Sequence, residues 1–484
     1  MPDANAGGRR EKTLGARPES ALFSEEILMK LHHAGLAIVF LLGSHAAVQA
    51  QAAPPAGTLP PNASVVGSGP IIQPPPPPPA PGTPRRVRGD FAQHTRHLIY
   101  VALPGSLERP IYPNGDGIVV LDADNNYAFV KRIHVWDYAG SMSPEDISGV
   151  AASPATNMLY LAARGRLGAI DLATDKMVWT TTLDGKCCER PQVDVDGKTL
   201  IVGSNLQDYW YKLDAWTGKL LAVIHAPGSS SVHNLNLSAD GKLAFMSPNG
   251  KLLQIADVAT AKVIRKIQFP DNIRVQVLNK DSSRIYVNQN NFMGFIIADT
   301  RTGKILKTVE VTSVDWRKVW NSSPRPRIPH GCPSHGIAIT QDGKEIWLAD
   351  GIFKKIHIFS NTDDPKEIDT IDTPDGVFWM TVGLDGKLIY ASSGDIIDVA
   401  THKIVGTTKS EFGTRMFSEK ELDMLFEDGH LQRVSNQFGN EYGDFVTAEK
   451  MGVAPHMPVL PGKAPLIATA TGQDPNAGVD WAAQ

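Results

Sequence analysis

The chain has 484 residues, with 47 Lys and Arg against 51 Asp and Glu, which gives a formal net charge of −4. This balance provides no general electrostatic attraction to nucleic acid, so no nucleic-acid partner is expected. Three cysteines are too few for a disulfide-stapled framework, whereas 43 glycines and 35 prolines indicate many turns.

The N-terminal region predicts an exported protein. Residues 29–50, MKLHHAGLAIVFLLGSHAAVQA, combine Lys30, an apolar run too short to cross a bilayer, and a small-residue cleavage site that ends at Ala50. The polar leader of residues 1–28 is unusual before such a segment and favours Met29 as the true start. We therefore expect a signal peptide, a periplasmic or extracellular location and no membrane span. A short buried helix is the alternative interpretation.

Two further segments are predicted to lie outside the folded domain. Residues 51–86 contain six consecutive prolines at 74–79, which favour an extended polyproline II linker without a packed core. The tail, residues 451–484, is rich in Ala, Pro and Gly and is predicted to be loosely ordered. The domain itself is assigned to residues 87–450.

One unit recurs through this domain, an Asp followed five residues later by Lys. It appears in DLATDK (171–176), DAWTGK (214–219), DVATAK (257–262), DTRTGK (299–304) and DVATHK (398–403). A second turn precedes several of these units, as in SADGK (238–242), TQDGK (340–344) and GLDGK (383–387). The segments around both turns alternate apolar and polar residues, which predicts antiparallel strands joined by tight turns.

The spacing of the repeat predicts the fold class. Asp171, Asp214, Asp257 and Asp299 lie 43, 43 and 42 residues apart. Four short strands in each such repeat indicate an all-β structure, a β-propeller with seven clear four-stranded blades. Residues 413–449 are interpreted as a degenerate eighth blade; in the alternative interpretation they close the first blade of a seven-bladed ring.

The repeats also resemble a known group of propellers. VHNLNLSADGKLAFMS (232–247) with LLQIADVATAKVIRKI (252–267), and HGIAITQDGKEIWLAD (335–350) with KIHIFS (355–360), are similar to the YVTN-type repeats of exported bacterial proteins. That superfamily is similar to the heavy chains of quinoprotein amine dehydrogenases and to the haem domain of cytochrome-type nitrite reductases. The resemblance implies the propeller fold and leaves the function open.

Aligning the blades on their first turn predicts a binding site. His335, His233, Glu189 and Arg274 each lie seven positions before the Asp of that turn. Because the first strand of each blade lines the channel, these side chains should surround one mouth of it. His330 and Cys332 lie just before His335 in the stretch HGCPSHG. The predicted binding residues at the mouth are therefore Glu189, His233, Arg274, His330, Cys332 and His335.

Two chemical interpretations compete with a general binding mouth. His330, Cys332 and His335 could hold a metal ion such as zinc or copper, although no compact ligand spacing supports this. Adjacent Cys187 and Cys188 could form a vicinal disulfide, which quinoprotein alcohol dehydrogenases carry against their cofactor. The tryptophan-docking repeats of those enzymes are absent. The alternative for Cys187 and Cys188 is one disulfide to Cys332, or unpaired thiols.

The insertion of residues 312–331 is a candidate protein-binding loop. It carries two tryptophans and three arginines, residue types enriched at interface hot spots: Trp316, Trp320, Arg317, Arg325 and Arg327. A loop packed over a blade edge is the alternative. In either case the loop should lie over the mouth, because it leads into a first strand.

Together these features predict an exported binding or scaffold protein of the bacterial envelope, with a small molecule or protein bound at the channel mouth. The alternative is a periplasmic oxidoreductase or hydrolase, linked to a metal or a quinone, that uses the same polar ring. No recognised catalytic motif selects the enzyme over the binding protein.

Overall fold

The computed structural model describes residues 95–104, 116–136, 147–163, 165–183, 187–204, 207–228, 232–248, 250–326, 328 and 331–442. The predicted leader, signal peptide, linker and tail lie outside these residues, as do His330 and Arg327. Within the described ranges, no helix has the length and apolar character needed to cross a membrane.

The described strands form seven antiparallel sheets, the blades of a ring. Blade 1 combines the two ends of the domain and contains β1 (Arg96–Pro104), β2 (Asp116–Asp122), β3 (Ala128–Ile133), β28 (Glu421–Glu427) and β29 (His430–Val434). Blade 2 contains β4 (Ile147–Ser153), β5 (Met158–Ala163), β6 (Arg166–Asp171) and β7 (Lys176–Thr182). Blade 3 contains β8 (Cys187–Val193), β9 (Thr199–Ser204), β10 (Tyr209–Asp214) and β11 (Leu220–His225).

The remaining four blades follow in chain order. Blade 4 contains β12 (Val232–Leu237), β13 (Leu243–Pro248), β14 (Leu252–Asp257) and β15 (Lys262–Gln268). Blade 5 contains β16 (Ile273–Leu278), β17 (Arg284–Gln289), β18 (Gly294–Asp299) and β19 (Ile305–Glu310), after which the short helix α1 (Trp316–Trp320) leads to blade 6. Blade 6 contains β20 (Ile337–Ile339), β21 (Glu345–Asp350), β22 (Lys355–Ser360) and β23 (Glu367–Asp372), and blade 7 contains β24 (Met380–Val382), β25 (Leu388–Ala391), β26 (Asp395–Asp398) and β27 (Lys403–Thr407).

The repeated Asp marks the turn between the third and fourth strands of a blade. In blade 3 the Asp214 carboxylate accepts hydrogen bonds from the backbone N–H and the hydroxyl of Thr217, each at 2.8 Å. The fourth residue after the Asp adopts a left-handed conformation, as at Gly218 with φ 69°. Glycine adopts this conformation without steric cost, which explains its place in DAWTGK and DTRTGK.

The core lies between neighbouring blades. Tyr160 of blade 2 and Tyr211 of blade 3, for example, belong to one cluster of buried side chains. The fourth strands face outward and expose single apolar residues, such as Leu221 and Ile368. Each sheet therefore buries both faces only by stacking in the ring.

The all-β propeller predicted from the repeats is confirmed, with seven blades among the described residues. Within residues 413–442 no eighth blade forms: β28 pairs with β1, in a register that places Asp423 opposite Ile99, and β29 folds back onto β28. The alternative interpretation of this region is therefore the correct one. The last strands close the ring by joining its first blade.

Candidate functional site

A segment that follows β29 fills much of the channel. Residues 435–442, here called the axial segment, hydrogen-bond to the first strands of the blades around it. Gln437 lies near the middle of the channel, where its side chain accepts from the Val150 N–H at 3.3 Å and donates to the Pro191 carbonyl at 3.2 Å. Gly439 pairs with Ala338 of blade 6 through a parallel bridge.

The axial segment continues to the end of the channel at which the first strands turn into the second. The Asn440 side chain is fully buried, donates to Asn236 at 3.1 Å and accepts from the Leu278 N–H at 2.8 Å. The Tyr442 hydroxyl donates to the Leu237 carbonyl at 2.6 Å. A cavity of about 30 Å³ remains beside the segment, against blades 1, 2 and 3. The channel is thus occupied from its middle to this end.

The opposite end, where the first strands begin, is the predicted mouth. There the structure brings together Glu189 of blade 3 and His233 of blade 4, with 2.6 Å between Oε2 and Nδ1. Burial alone would raise the pKa of Glu189, but His233, followed by Arg190 and Lys420, lowers it to about 2. Glu189 is therefore a carboxylate over the physiological pH range.

Arg190 extends across the mouth. Its guanidinium lies 3.6 Å from the ring centroid of Trp379 in blade 7, and its Nη2 contacts the Glu419 carboxylate at 2.8 Å. Two register shifts in β8, on either side of Glu189, break the normal alternation of side chains in that strand. As a result, two consecutive charged residues both reach partners in other blades.

Two more predicted residues, His335 and Arg274, lie in the same region. His335 is fully buried, donates through Nδ1 to the Phe378 carbonyl at 3.0 Å and lies beside the Trp379 ring. Burial lowers the pKa of His335 to about 4, against the opposing effects of the Glu419 carboxylate and the hydrogen bond to the Phe378 carbonyl. Burial also lowers the pKa of Arg274, an effect opposed by Cys332, Asp271 and Glu189.

The cysteine and metal predictions have separate outcomes. Cys187 and Cys188 form a disulfide, and the Ser148 hydroxyl donates to the Cys188 carbonyl at 2.5 Å. Cys332 is a buried thiol whose pKa is raised by burial to about 12. The described residues contain no group of three metal-ligating side chains, and His330 lies outside them.

The candidate binding loop packs against the propeller. Trp316 and Trp320 are both buried in a core cluster of blades 5 and 6. Their rings therefore stabilise the fold and are not exposed to a partner. Arg325 stacks on Trp320, with its guanidinium carbon 3.5 Å from the ring centroid, and contacts Asn291. Asn291 lies in the turn between β17 and β18, which places the loop on the same face as the mouth.

Sequence reasoning missed three residues of this region: Arg190, Trp379 and Glu419. Regular alternation in β8 would turn Arg190 away from Glu189. The rule that selected Glu189, seven positions before the Asp of the first turn, therefore did not select Arg190. Pro191 was the available signal, because proline inside a strand marks an edge or a bulge. Glu419 precedes β28 in a connection that belongs to no repeat.

A scan against protein-family models found no match, and no curated protein matches the sequence. Among solved structures, the chain is similar to a Kuenenia stuttgartiensis hydrazine synthase with a TM-score of 0.46 and 14% identity, covering 60% of this chain and 88% of that one. It is also similar to a chain of a mitotic checkpoint complex, with a TM-score of 0.48 and 13% identity, covering 70% of this chain and 95% of that one. Neither likeness bears on function.

Proposed function

We propose that this protein is an exported β-propeller of the YVTN type that acts as a binding or scaffold protein in the bacterial envelope. The ligand or partner binds at the mouth formed by Glu189, His233, Arg190 and Arg274. The main support is the convergence of these polar and charged side chains from three blades at one end of an otherwise filled channel. Most of a propeller can be built from repeated apolar strands, so charges gathered at one point favour recognition.

The binding proposal is tested by a thermal-shift screen of the purified protein against small metabolites and candidate partner proteins. Ligands that raise the melting temperature are then tested on Glu189→Gln and on Glu427→Gln, an exposed control at the far end of β28. We expect the control to retain the shift and Glu189→Gln to lose it. A ligand that stabilises both variants equally would place binding elsewhere.

Export is a separate part of the proposal. It is supported by the apolar segment and the cleavage site that ends at Ala50. N-terminal sequencing of protein isolated from its native cells should give a mature chain that begins at Gln51. A chain that retains residues 29–50 would contradict export through a cleaved signal.

The hydrogen-bonded Glu189–His233 pair also supports the enzyme as a second candidate. A carboxylate that orients a histidine is a common arrangement for general-base catalysis. Elemental analysis of the purified protein would separate the metal-linked form of this candidate from a binding protein. Stoichiometric zinc or copper that is lost in His335→Ala would favour the metal-linked enzyme.

A further inference from the structure

We infer that Arg190 forms a carboxylate-binding subsite of the mouth and that Glu419 occupies this subsite in the absence of ligand. The inference rests on the proposed function, because it names the chemical class of the ligand that the mouth binds. It is carried by the hydrogen bonds of Arg190, its position across the channel and the conformation of its backbone.

The guanidinium of Arg190 has a hydrogen-bond donor that no described residue accepts from. Its side chain is 2% exposed, and Nη2 and Nη1 donate to the carboxylate and the backbone carbonyl of Glu419, at 2.8 and 3.2 Å. Its Nε is buried and has no hydrogen-bond partner among the described residues. A carboxylate bound side-on would accept from Nε and Nη2 together, which is the preferred bidentate geometry. Glu419 therefore satisfies the subsite only in part.

The position of Arg190 places it in the path of a ligand. The side chain starts in blade 3 and ends on the Trp379 ring in blade 7, so it spans the mouth above the axial segment. The Trp379 ring also contacts that segment, because its Nε1 donates to the Gln437 carbonyl at 2.5 Å. A ligand that enters along the axis would therefore meet the guanidinium.

The backbone of Arg190 has an unusual conformation that its surroundings accommodate. Arg190 adopts a left-handed φ of 45°, which is strained for a residue with a side chain. Gly149 of blade 2 makes room for it, because a Cβ at position 149 would lie 2.4 Å from the Arg190 Cα. Strain of this kind is retained where a side chain must be held in a defined place.

Glu419 is suited to act as a removable occupant. It lies in the connection between β27 and β28, outside the sheet, and its side chain is 15% exposed. Moving it aside would break no strand pairing. A ligand carboxylate would then take its place on Arg190.

The test uses the purified protein and succinate as a probe, with uncharged succinamide as its matched control. We expect Glu419→Gln to bind succinate about tenfold more tightly than the wild type, because the internal competitor is weakened. Succinamide should bind to neither protein. Unchanged succinate affinity in a folded Glu419→Gln protein would overturn the inference.

A second measurement avoids reliance on a variant of Arg190 that could fail to fold. In Glu419→Gln labelled with ¹⁵N-arginine, succinate should shift the Nε–H signal of Arg190, which Arg190→Lys identifies by its loss. Succinate binding that leaves this signal unmoved would refute the subsite. A neutral ligand that requires Glu189 but binds equally to Glu419→Gln would also refute the subsite, and it would leave the proposed function standing.

Discussion

The carboxyl of Glu421, in the strand that closes the ring, offers a quantitative test of burial at that position. Glu421 begins β28, the strand that pairs with β1, and is 2% exposed. Its Oε1 has no hydrogen-bond partner among the described residues. Burial raises the pKa of Glu421 from 4.5 to about 8. The folded protein therefore holds this carboxyl protonated at neutral pH, whereas the unfolded chain ionises it.

The sign of the effect follows from this difference. The pKa of Glu421 is higher in the folded protein than in the unfolded chain. Its contribution to the free energy of unfolding is therefore fully present below pH 4.5 and is lost as the pH rises toward 8. Each pKa unit corresponds to about 1.4 kcal/mol, so about 3 kcal/mol is lost between pH 4.5 and pH 7. Glu421→Gln does not ionise, so its stability relative to the wild type should rise by about 3 kcal/mol over this interval.

The assay is urea denaturation of wild type and Glu421→Gln at several pH values between 4.5 and 9. Glu427→Gln, an exposed change on the same strand, serves as the control and should follow the wild type. Only the pH dependence of the difference is tested, since the buried amide adds a constant offset. A difference that stays constant from pH 4.5 to pH 9 would refute the assignment of a neutral, buried carboxyl.

Three further predictions concern the channel and the mouth. Asn440→Ala should destabilise the protein by about 2 to 4 kcal/mol in denaturant titrations, because it leaves two buried partners unsatisfied, whereas the exposed Asn321→Ala should have little effect. Cys332 should resist iodoacetamide at pH 8 until the protein unfolds, as judged by mass spectrometry, because its buried thiol has a pKa of about 12. Gly149→Ala should lower the melting temperature, since the added Cβ would collide with the backbone of Arg190, and an unchanged value would contradict that contact.

Local chemistry made the fold predictable from the sequence. The Asp-to-Lys turns, the Asp-Gly turns and the alternation of apolar residues each act within a few residues of chain, and the ring repeats them. Equivalent positions in different blades also meet the axis at the same height, which is why one offset identified both Glu189 and His233. Whether these residues bind a ligand remains a prediction.

The rest of the axis depends on contacts that no local pattern encodes. The axial segment is polar, and its hydrogen bonds join residues such as Asn440 and Asn236 that are far apart in sequence. In its sequence, SNQFGNEY, the apolar residues follow neither the period of a strand nor that of a helix, so the sequence predicts a loop. Arg190 was not predicted because β8 has the sequence pattern of a regular strand. The two register shifts beside Glu189 interrupt the strand without a repeated signal in the sequence.

The mouth can be separated from the scaffold by a final experiment. Buried charge pairs are commonly replaced by apolar residues of similar size without loss of stability, whereas removal of one partner is costly. The ring is already closed by β28 and filled by the axial segment, so the Glu189–His233 pair is not required for closure. Arg190 keeps its ion pair with Glu419 in the double variant Glu189→Leu, His233→Phe. This variant should therefore melt close to the wild-type temperature and lose the ligand response. A double variant that melts well below the wild type would instead show that the pair holds the ring together, and the case for recognition at the mouth would lose its main support.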